Sequence, residues 1–146
     1  MSGLSRELVV SASVEHLQEV LSFLEETLIA ASCPKKQRIQ IVIAAEEVFV
    51  NIASYAYPPG TGTATIRVEL TDDASEVTIK FCDRGICFDP LRRPDPDITL
   101  SAEEREIGGL GIFMTRKFMD EVTYDYQDGQ NILTIKKKFL HNKEES

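Results

Sequence analysis

The sequence places a carboxylate and an amide four residues apart in an otherwise mostly apolar segment, AAEEVFVNIASYAY at residues 44–57. On a helix, Glu47 and Asn51 share one face with Ser54. The apolar residues on the opposite face are Ala45, Phe49, Ile52, Ala53 and Ala56. A carboxylate can serve as a general base, and an amide oxygen is a hard ligand suited to Mg²⁺. An acid and an amide at this spacing also occur on exposed helices, so the pair alone leaves both interpretations open.

A second candidate stretch is CDRGICFDP, residues 82–90. Asp83 ends a predicted apolar strand, where its carboxylate could accept a hydrogen bond from an exocyclic amine such as that of adenine. Gly85 has no side chain, which would let the backbone approach a flat ring. The alternative is a simple turn, because Asp-x-Gly is common turn chemistry.

The third stretch is GGLGIF, residues 108–113, which opens a predicted helix. Glycines at a helix N-terminus expose backbone N–H groups and the positive end of the helix dipole, and both favour phosphate. The stretch is neither a P-loop nor a dinucleotide fingerprint. The preceding residues 89–107 read as a long loop, which inside a compact domain is more often functional than idle. The three stretches together predict an ATP site without a Walker motif.

The elements that must position these stretches follow the order β-α-α-β-β-loop-α-β-β. Paired hairpins and separately grouped helices predict an α+β fold, a two-layer sandwich with a mixed, mostly antiparallel sheet and helices on one face. The amphipathic pattern and the capping signals predict helices over residues 13–32 and 34–57 and another after the glycines. The predicted strands are residues 6–12, 63–70 and 76–83, and a hairpin of residues 121–127 and 130–139 around Asp-Gly.

The totals fit one domain over residues 1–146, with residues 139–146 as a frayed tail. A net charge of −8 argues against direct nucleic-acid binding. The chain contains no apolar run long enough for a membrane span and no secretion signal, so we expect no membrane contact and a cytoplasmic location. Three cysteines and two histidines show no zinc spacing.

The three stretches together resemble the nucleotide-binding motifs of the Bergerat-fold ATPases, the superfamily of gyrase-type ATPases and sensor histidine kinases. EEVFVNIASYAY is similar to the N box, DRGICFDP to the first glycine box and GGLGIFMTRKFMDEV to the second. Within the superfamily, nearly the whole chain is similar to the small stand-alone anti-sigma-factor serine kinases. The resemblance implies a Bergerat-type ATP-binding fold.

Carried onto this chain, the resemblance implies that Asn51 coordinates the Mg²⁺ that bridges the ATP phosphates. It implies that Glu47 is the base that takes a proton from the attacking serine hydroxyl. Asp83 would hydrogen-bond the adenine amine, Gly85 would line the ring, and residues 89–107 would form the lid. The residues implied to surround the phosphates are Gly108, Gly109, Gly111 and Arg105.

The resemblance also implies a function and partners. The chain would be an ATP-dependent protein serine/threonine kinase that phosphorylates a small antagonist protein in a partner-switching system, with a sigma factor as a further partner and a homodimer as the assembly. It differs from the subgroup at Tyr55, where histidine is frequent, at Cys87, where glycine is frequent, and in a first helix without arginine. One alternative is a non-catalytic module that binds proteins in a nucleotide-dependent way. Another, histidine phosphorylation in trans, ranks last because no dimerisation helix pair with an acceptor histidine is found.

Overall fold

A five-stranded antiparallel sheet forms one layer of the protein, in a computed structural model that describes residues 4–57, 60–92 and 112–139. The strands lie in the order β1-β2-β3-β5-β4, and every neighbouring pair is antiparallel. The predicted α+β sandwich is therefore confirmed, with an antiparallel rather than mixed sheet in the described part. The strands are β1 (Ser5–Ser11), β2 (Thr63–Leu70), β3 (Glu76–Asp83), β4 (Glu121–Gln127) and β5 (Gln130–Lys138).

The second layer consists of helices that cover one face of this sheet. Alternate residues of β2 and β3 are buried, as expected for a sheet with one covered face. The core between the layers includes Phe81 of β3 and the fully buried Leu24 and Phe49 of the helices. The described helices are α1 (Leu17–Ala30), α2 (Lys35–Tyr55) and α3 (Phe113–Phe118), with 3-10 turns at Val14–His16 and Pro90–Arg92.

The helix ends follow local capping chemistry. The Ser13 hydroxyl accepts a hydrogen bond from the Glu15 N–H at 3.3 Å, as its predicted N-cap role requires, although the first turn is a 3-10 turn and α1 begins at Leu17. Pro34 is the N-cap of α2, where its fixed φ suits the entry to a helix. The second predicted helix ends at Tyr55 rather than at residue 57.

The β4–β5 hairpin turns at Asp128 and Gly129, which both have positive φ angles, 52° and 77°. This is the backbone that an Asp-Gly hairpin turn requires, so the predicted turn is confirmed. The turn sets the register of β4 against β5. On its other edge β5 pairs with β3, and there Asn131 lies directly opposite Asp83. No helix in the described ranges is long and apolar enough to cross a membrane.

Several predicted features lie outside the described residues. They are Gly108, Gly109, Gly111 and Arg105, most of the predicted lid from residue 93 onward, and the tail from residue 140.

Candidate functional site

A cavity lies between α2 and the ends of β3 and β5. Its walls are mostly apolar, as is usual for small-molecule sites. The loop after β3 and the residue that precedes α3 complete the walls. The polar and hydroxyl-bearing side chains among the lining residues are Asn51, Asp83, Asn131, Tyr55 and Tyr124.

Asp83 is the carboxylate in the wall of this cavity and is 6% exposed. Its Oδ1 atom accepts hydrogen bonds from the Gly85 N–H and from Nδ2 of Asn131, both at 2.9 Å. Within the described ranges no donor reaches Oδ2. A buried carboxylate in this arrangement has one oxygen occupied by the protein and one able to accept a hydrogen bond from a ligand amine.

Asn131 fixes the orientation of Asp83 and was not among the predicted site residues. Its Nδ2 donates to Asp83 and, at 2.8 Å, to the Ile86 carbonyl, while its Oδ1 accepts from the Phe88 N–H at 3.2 Å and from the Tyr124 hydroxyl. Both N–H groups of this amide donate hydrogen bonds and its oxygen accepts two, so the amide group is held in one orientation. The available signal was an asparagine two and four residues before the apolar Leu133 and Ile135, on the same face of the strand.

Burial raises the pKa of Asp83, and the hydrogen bonds from Asn131 and Gly85 only partly offset this. The folded state therefore holds the proton of this carboxyl more readily than the unfolded state, in which the pKa of the carboxyl is near 3.8. The stability that this group contributes is present below that value and is lost as the pH rises through the folded pKa.

We therefore expect the unfolding free energy of the wild type to fall relative to that of Asp83→Asn between about pH 4 and about pH 7, since the variant lacks this titration. Denaturant titrations of both proteins at the two pH values measure the difference. A wild type that gains stability relative to the variant as the pH rises would contradict the raised pKa.

Gly85 is required where the loop after β3 meets the end of α2. A Cβ atom at this position would lie 2.2 Å from the carbonyl oxygen of Ala56 and 2.5 Å from its carbonyl carbon. The same oxygen accepts a hydrogen bond from the Ile86 N–H at 2.9 Å, which holds the two segments together. This close backbone contact is one reason for glycine at position 85. The predicted approach of a flat ring would be a second reason, and it stays a prediction.

Gly85→Ala is expected to destabilise the fold by about 1–3 kcal/mol, because the loop or the end of α2 must move to admit the methyl group. Gly60→Ala is the matched control, since its Cβ would come no closer than 3.2 Å to the Tyr57 carbonyl. Denaturant unfolding of both variants measures the effect. Equal stability of the two variants would show that the loop adjusts freely.

On α2, Asn51 lies in the cavity wall and is 7% exposed. Its Nδ2 donates to the backbone carbonyl of Glu47 at 3.2 Å, which turns Oδ1 to the other side of the amide. The sequence pattern placed Ile52 and Ala56 on the face opposite Asn51, and this was wrong, because both line the cavity beside it. Ser54, predicted beside Asn51, is exposed. The helix is covered by the sheet and also borders the cavity, so its buried residues extend beyond one stripe.

Glu47 lies one turn earlier and points towards α3 instead of lining the cavity. Its Oε1 accepts hydrogen bonds from the Thr115 N–H at 2.7 Å and the Thr115 hydroxyl at 2.8 Å. Its Oε2 accepts one from the Met114 N–H at 3.2 Å. The carboxylate thus receives the unpaired donors of the first turn of α3, a favourable place for a negative charge. No local pattern in the amino-acid sequence indicated Thr115 as its partner.

Two contacts link the segment after β3 to α2 and α3. Tyr55 and Phe88 stack with ring centroids 5.1 Å apart and an angle of 19° between the planes. Arg116 of α3 donates to the carbonyl of Leu91, which holds the 3-10 turn after the loop against α3. Cys87 is exposed, with its sulfur 3.6 Å from the Tyr124 hydroxyl.

The donor set around the cavity suits Mg²⁺ that arrives with a phosphate ligand. The described residues contain no group of three or more histidines, cysteines or carboxylates that could hold a metal alone. Asn51 offers one hard amide oxygen from a buried position. Mg²⁺ commonly takes one or two protein ligands and fills its other positions with phosphate oxygens and water.

Comparisons with known proteins relate this chain to serine kinases and to an anti-sigma factor. A 29% identity over 135 residues links it to the serine/threonine-protein kinase BtrW of Bordetella bronchiseptica and covers 92% of this chain and 94% of that protein. The serine-protein kinase RsbW of Listeria monocytogenes is 30% identical over 98 residues, 64% of this chain and 62% of that protein. The anti-sigma F factor of Clostridium beijerinckii is 31% identical over 75 residues, 51% of this chain and 52% of that protein.

A solved structure agrees in fold. The crystal structure of the RsbU and RsbW domains of Rv1364c from Mycobacterium tuberculosis superposes with a TM-score of 0.68 at 16% identity, over 95% of this chain and 33% of that one. The profile of the histidine kinase-like ATPase domain matches residues 10–137. Because that match spans most of the sequence, the chain belongs to the histidine kinase-like ATPase domain family.

Proposed function

We propose that this chain is an ATP-binding protein serine/threonine kinase of the anti-sigma-factor type, which phosphorylates a serine of a small antagonist protein. The observation that carries the proposal is the buried Asp83 carboxylate, held by Asn131 with Oδ2 left for a ligand, in an apolar cavity that Asn51 also lines. The relatives named as serine kinases support the same activity.

In this proposal the adenine ring lies in the apolar cavity and its amine donates to Asp83. Asn51 would hold Mg²⁺, which neutralises charge on the phosphates. The glycines Gly108, Gly109 and Gly111 would donate backbone N–H bonds to the phosphates, and Arg105 would contact the terminal phosphate. Residues 89–107 would close over the nucleotide.

Glu47 is the proposed base for the serine hydroxyl. A base must lie near the proton that it takes, and Glu47 lies one helical turn from Asn51, beside the helix that follows the phosphate-binding glycines. Phosphoryl transfer depends mainly on positioning and on charge stabilisation, so one carboxylate with a fixed orientation is a suitable group.

The partners belong to the proposal as well. An antagonist protein would supply the serine, a sigma factor would be the regulated protein, and the chain would act as a homodimer. The relatives named anti-sigma F factor support the regulatory role.

A second candidate function is a module that binds proteins in a nucleotide-dependent way without transferring phosphate. It is favoured by the three hydrogen bonds that tie the Glu47 carboxylate to α3, because this contact would serve the fold even without catalysis.

Incubation with Mg²⁺ and γ-labelled ATP, in the presence of a panel of purified antagonist domains, distinguishes the two functions. The kinase proposal predicts label on a serine of one domain, located by mass spectrometry of the labelled peptide. Nucleotide-dependent complex formation without any labelled product would support the binding module and contradict the kinase.

A further inference from the structure

We propose that Thr115 is the positioning residue of the proposed base: it holds Oε1 of Glu47 so that Oε2 is the oxygen that accepts the serine proton. The inference rests on the proposed function, which assigns the proton transfer to Glu47. It adds a second residue and selects one of the two carboxylate oxygens.

Thr115 is fully buried at the junction of α2 and α3. Its hydroxyl has one proton and lies 2.8 Å from Oε1 of Glu47 and 3.0 Å from the carbonyl oxygen of Ala44. The carboxylate oxygen is the nearer acceptor and carries charge, so it is the stronger acceptor of this proton. Its backbone N–H donates to the same Oε1 at 2.7 Å. Two donors from one residue therefore meet one carboxylate oxygen.

The lone pairs of the carboxylate determine which oxygen can react. Each carboxylate oxygen can accept about two hydrogen bonds. Oε1 of Glu47 accepts two from Thr115, whereas Oε2 accepts one, from the Met114 N–H at the longer distance of 3.2 Å. The remaining acceptor position is on Oε2. Glu47 is only partly buried, in contrast to Thr115.

A purely structural cap makes a different prediction from a positioning residue. If the contact only joined α2 to α3, removal of the Thr115 hydroxyl would lower stability and leave the turnover of the folded enzyme unchanged. If the hydroxyl orients the base, its removal lowers kcat, while ATP binding at the separate Asp83 cavity stays as it was.

The kinetic test uses Thr115→Val, which keeps the side-chain shape and removes the hydroxyl, and Thr115→Ser, which keeps the hydroxyl. With an antagonist domain that the wild type phosphorylates, we expect kcat to fall about ten- to hundredfold in Thr115→Val, the size of a lost hydrogen bond to a charged group. The KM for ATP should change less than about threefold, and Thr115→Ser should retain most of the rate. A wild-type kcat in folded Thr115→Val would overturn the inference.

A second readout does not depend on transfer. Amide hydrogen exchange at Met114 and Thr115 should be faster in Glu47→Ala than in the wild type, while Met119, whose N–H donates to the Thr115 carbonyl within α3, serves as the control amide. Unchanged exchange at Met114 and Thr115 would show that Glu47 does not hold these two amides and would overturn the inference. Faster exchange at these two amides in Glu47→Ala, together with a wild type that phosphorylates no antagonist domain, would support the Glu47–Thr115 contact and count against the kinase function alone.

Discussion

Replacement of Asp83 by asparagine is expected to weaken ATP binding by about ten- to hundredfold, the size of a lost hydrogen bond to a charged acceptor. An asparagine at this position can still accept from the Gly85 N–H and from Nδ2 of Asn131 through its carbonyl oxygen. Its amide nitrogen would then occupy the place of Oδ2 and meet the adenine amine, donor against donor. We therefore expect Asp83→Asn to bind ATP more weakly while it still folds.

Calorimetric titration of ATP with Mg²⁺ into the wild type and Asp83→Asn measures this effect, and the thermal melt of each nucleotide-free protein checks its fold. Asp72→Asn is the matched control, because Asp72 is exposed in the turn between β2 and β3, at the far end of β3 from Asp83. The control should bind ATP as the wild type does. Equal affinity of Asp83→Asn and the wild type would place the adenine elsewhere.

Replacement of Glu47 by glutamine is expected to reduce phosphoryl transfer to the antagonist serine by about 10²- to 10⁴-fold, the usual contribution of a general base. Glutamine keeps an oxygen that can accept the N–H and hydroxyl bonds of Thr115, but it cannot take a proton. ATP affinity should change little, because Glu47 does not line the cavity. Single-turnover transfer of labelled phosphate, measured at saturating ATP, isolates the phosphoryl-transfer step from ATP binding.

Glu47→Ala separates the chemical role of this side chain from its structural role. Both variants should lose transfer. Glutamine loses only the acceptor for the Met114 N–H, whereas alanine removes the acceptor for all three α3 donors, at a cost of about 0.5–2 kcal/mol in stability, the range for a lost helix cap. Substantial transfer by folded Glu47→Gln would show that another group accepts the proton.

Much of the fold could be predicted because its signals are local. The bounds predicted for β2, β3 and β4 from apolar alternation agree with the structure, and the Asp128-Gly129 pair correctly predicted the hairpin turn. The helix ends were less accurate, since the first turn before α1 is a 3-10 turn that the apolar spacing does not distinguish from an α-helix.

The site could be predicted only in part, because its partners meet through long-range pairing. Asp83 was recognised from its place at a strand end, but Asn131 reaches it across the β3–β5 register, 48 positions later. Thr115 meets Glu47 from 68 positions away. The face assignment of α2 was wrong for Ile52 and Ala56, because a single helical pattern cannot show that a helix is covered on two sides.

The most direct test of the proposed ATP site is a crystal structure of this chain with Mg²⁺ and a non-hydrolysable ATP analogue. We expect the adenine amine about 3 Å from Oδ2 of Asp83 and the metal bound to the amide oxygen of Asn51, with Glu47 still hydrogen-bonded to Thr115. A nucleotide bound outside the cavity between α2 and β3, or one whose adenine does not contact Asp83, would contradict it.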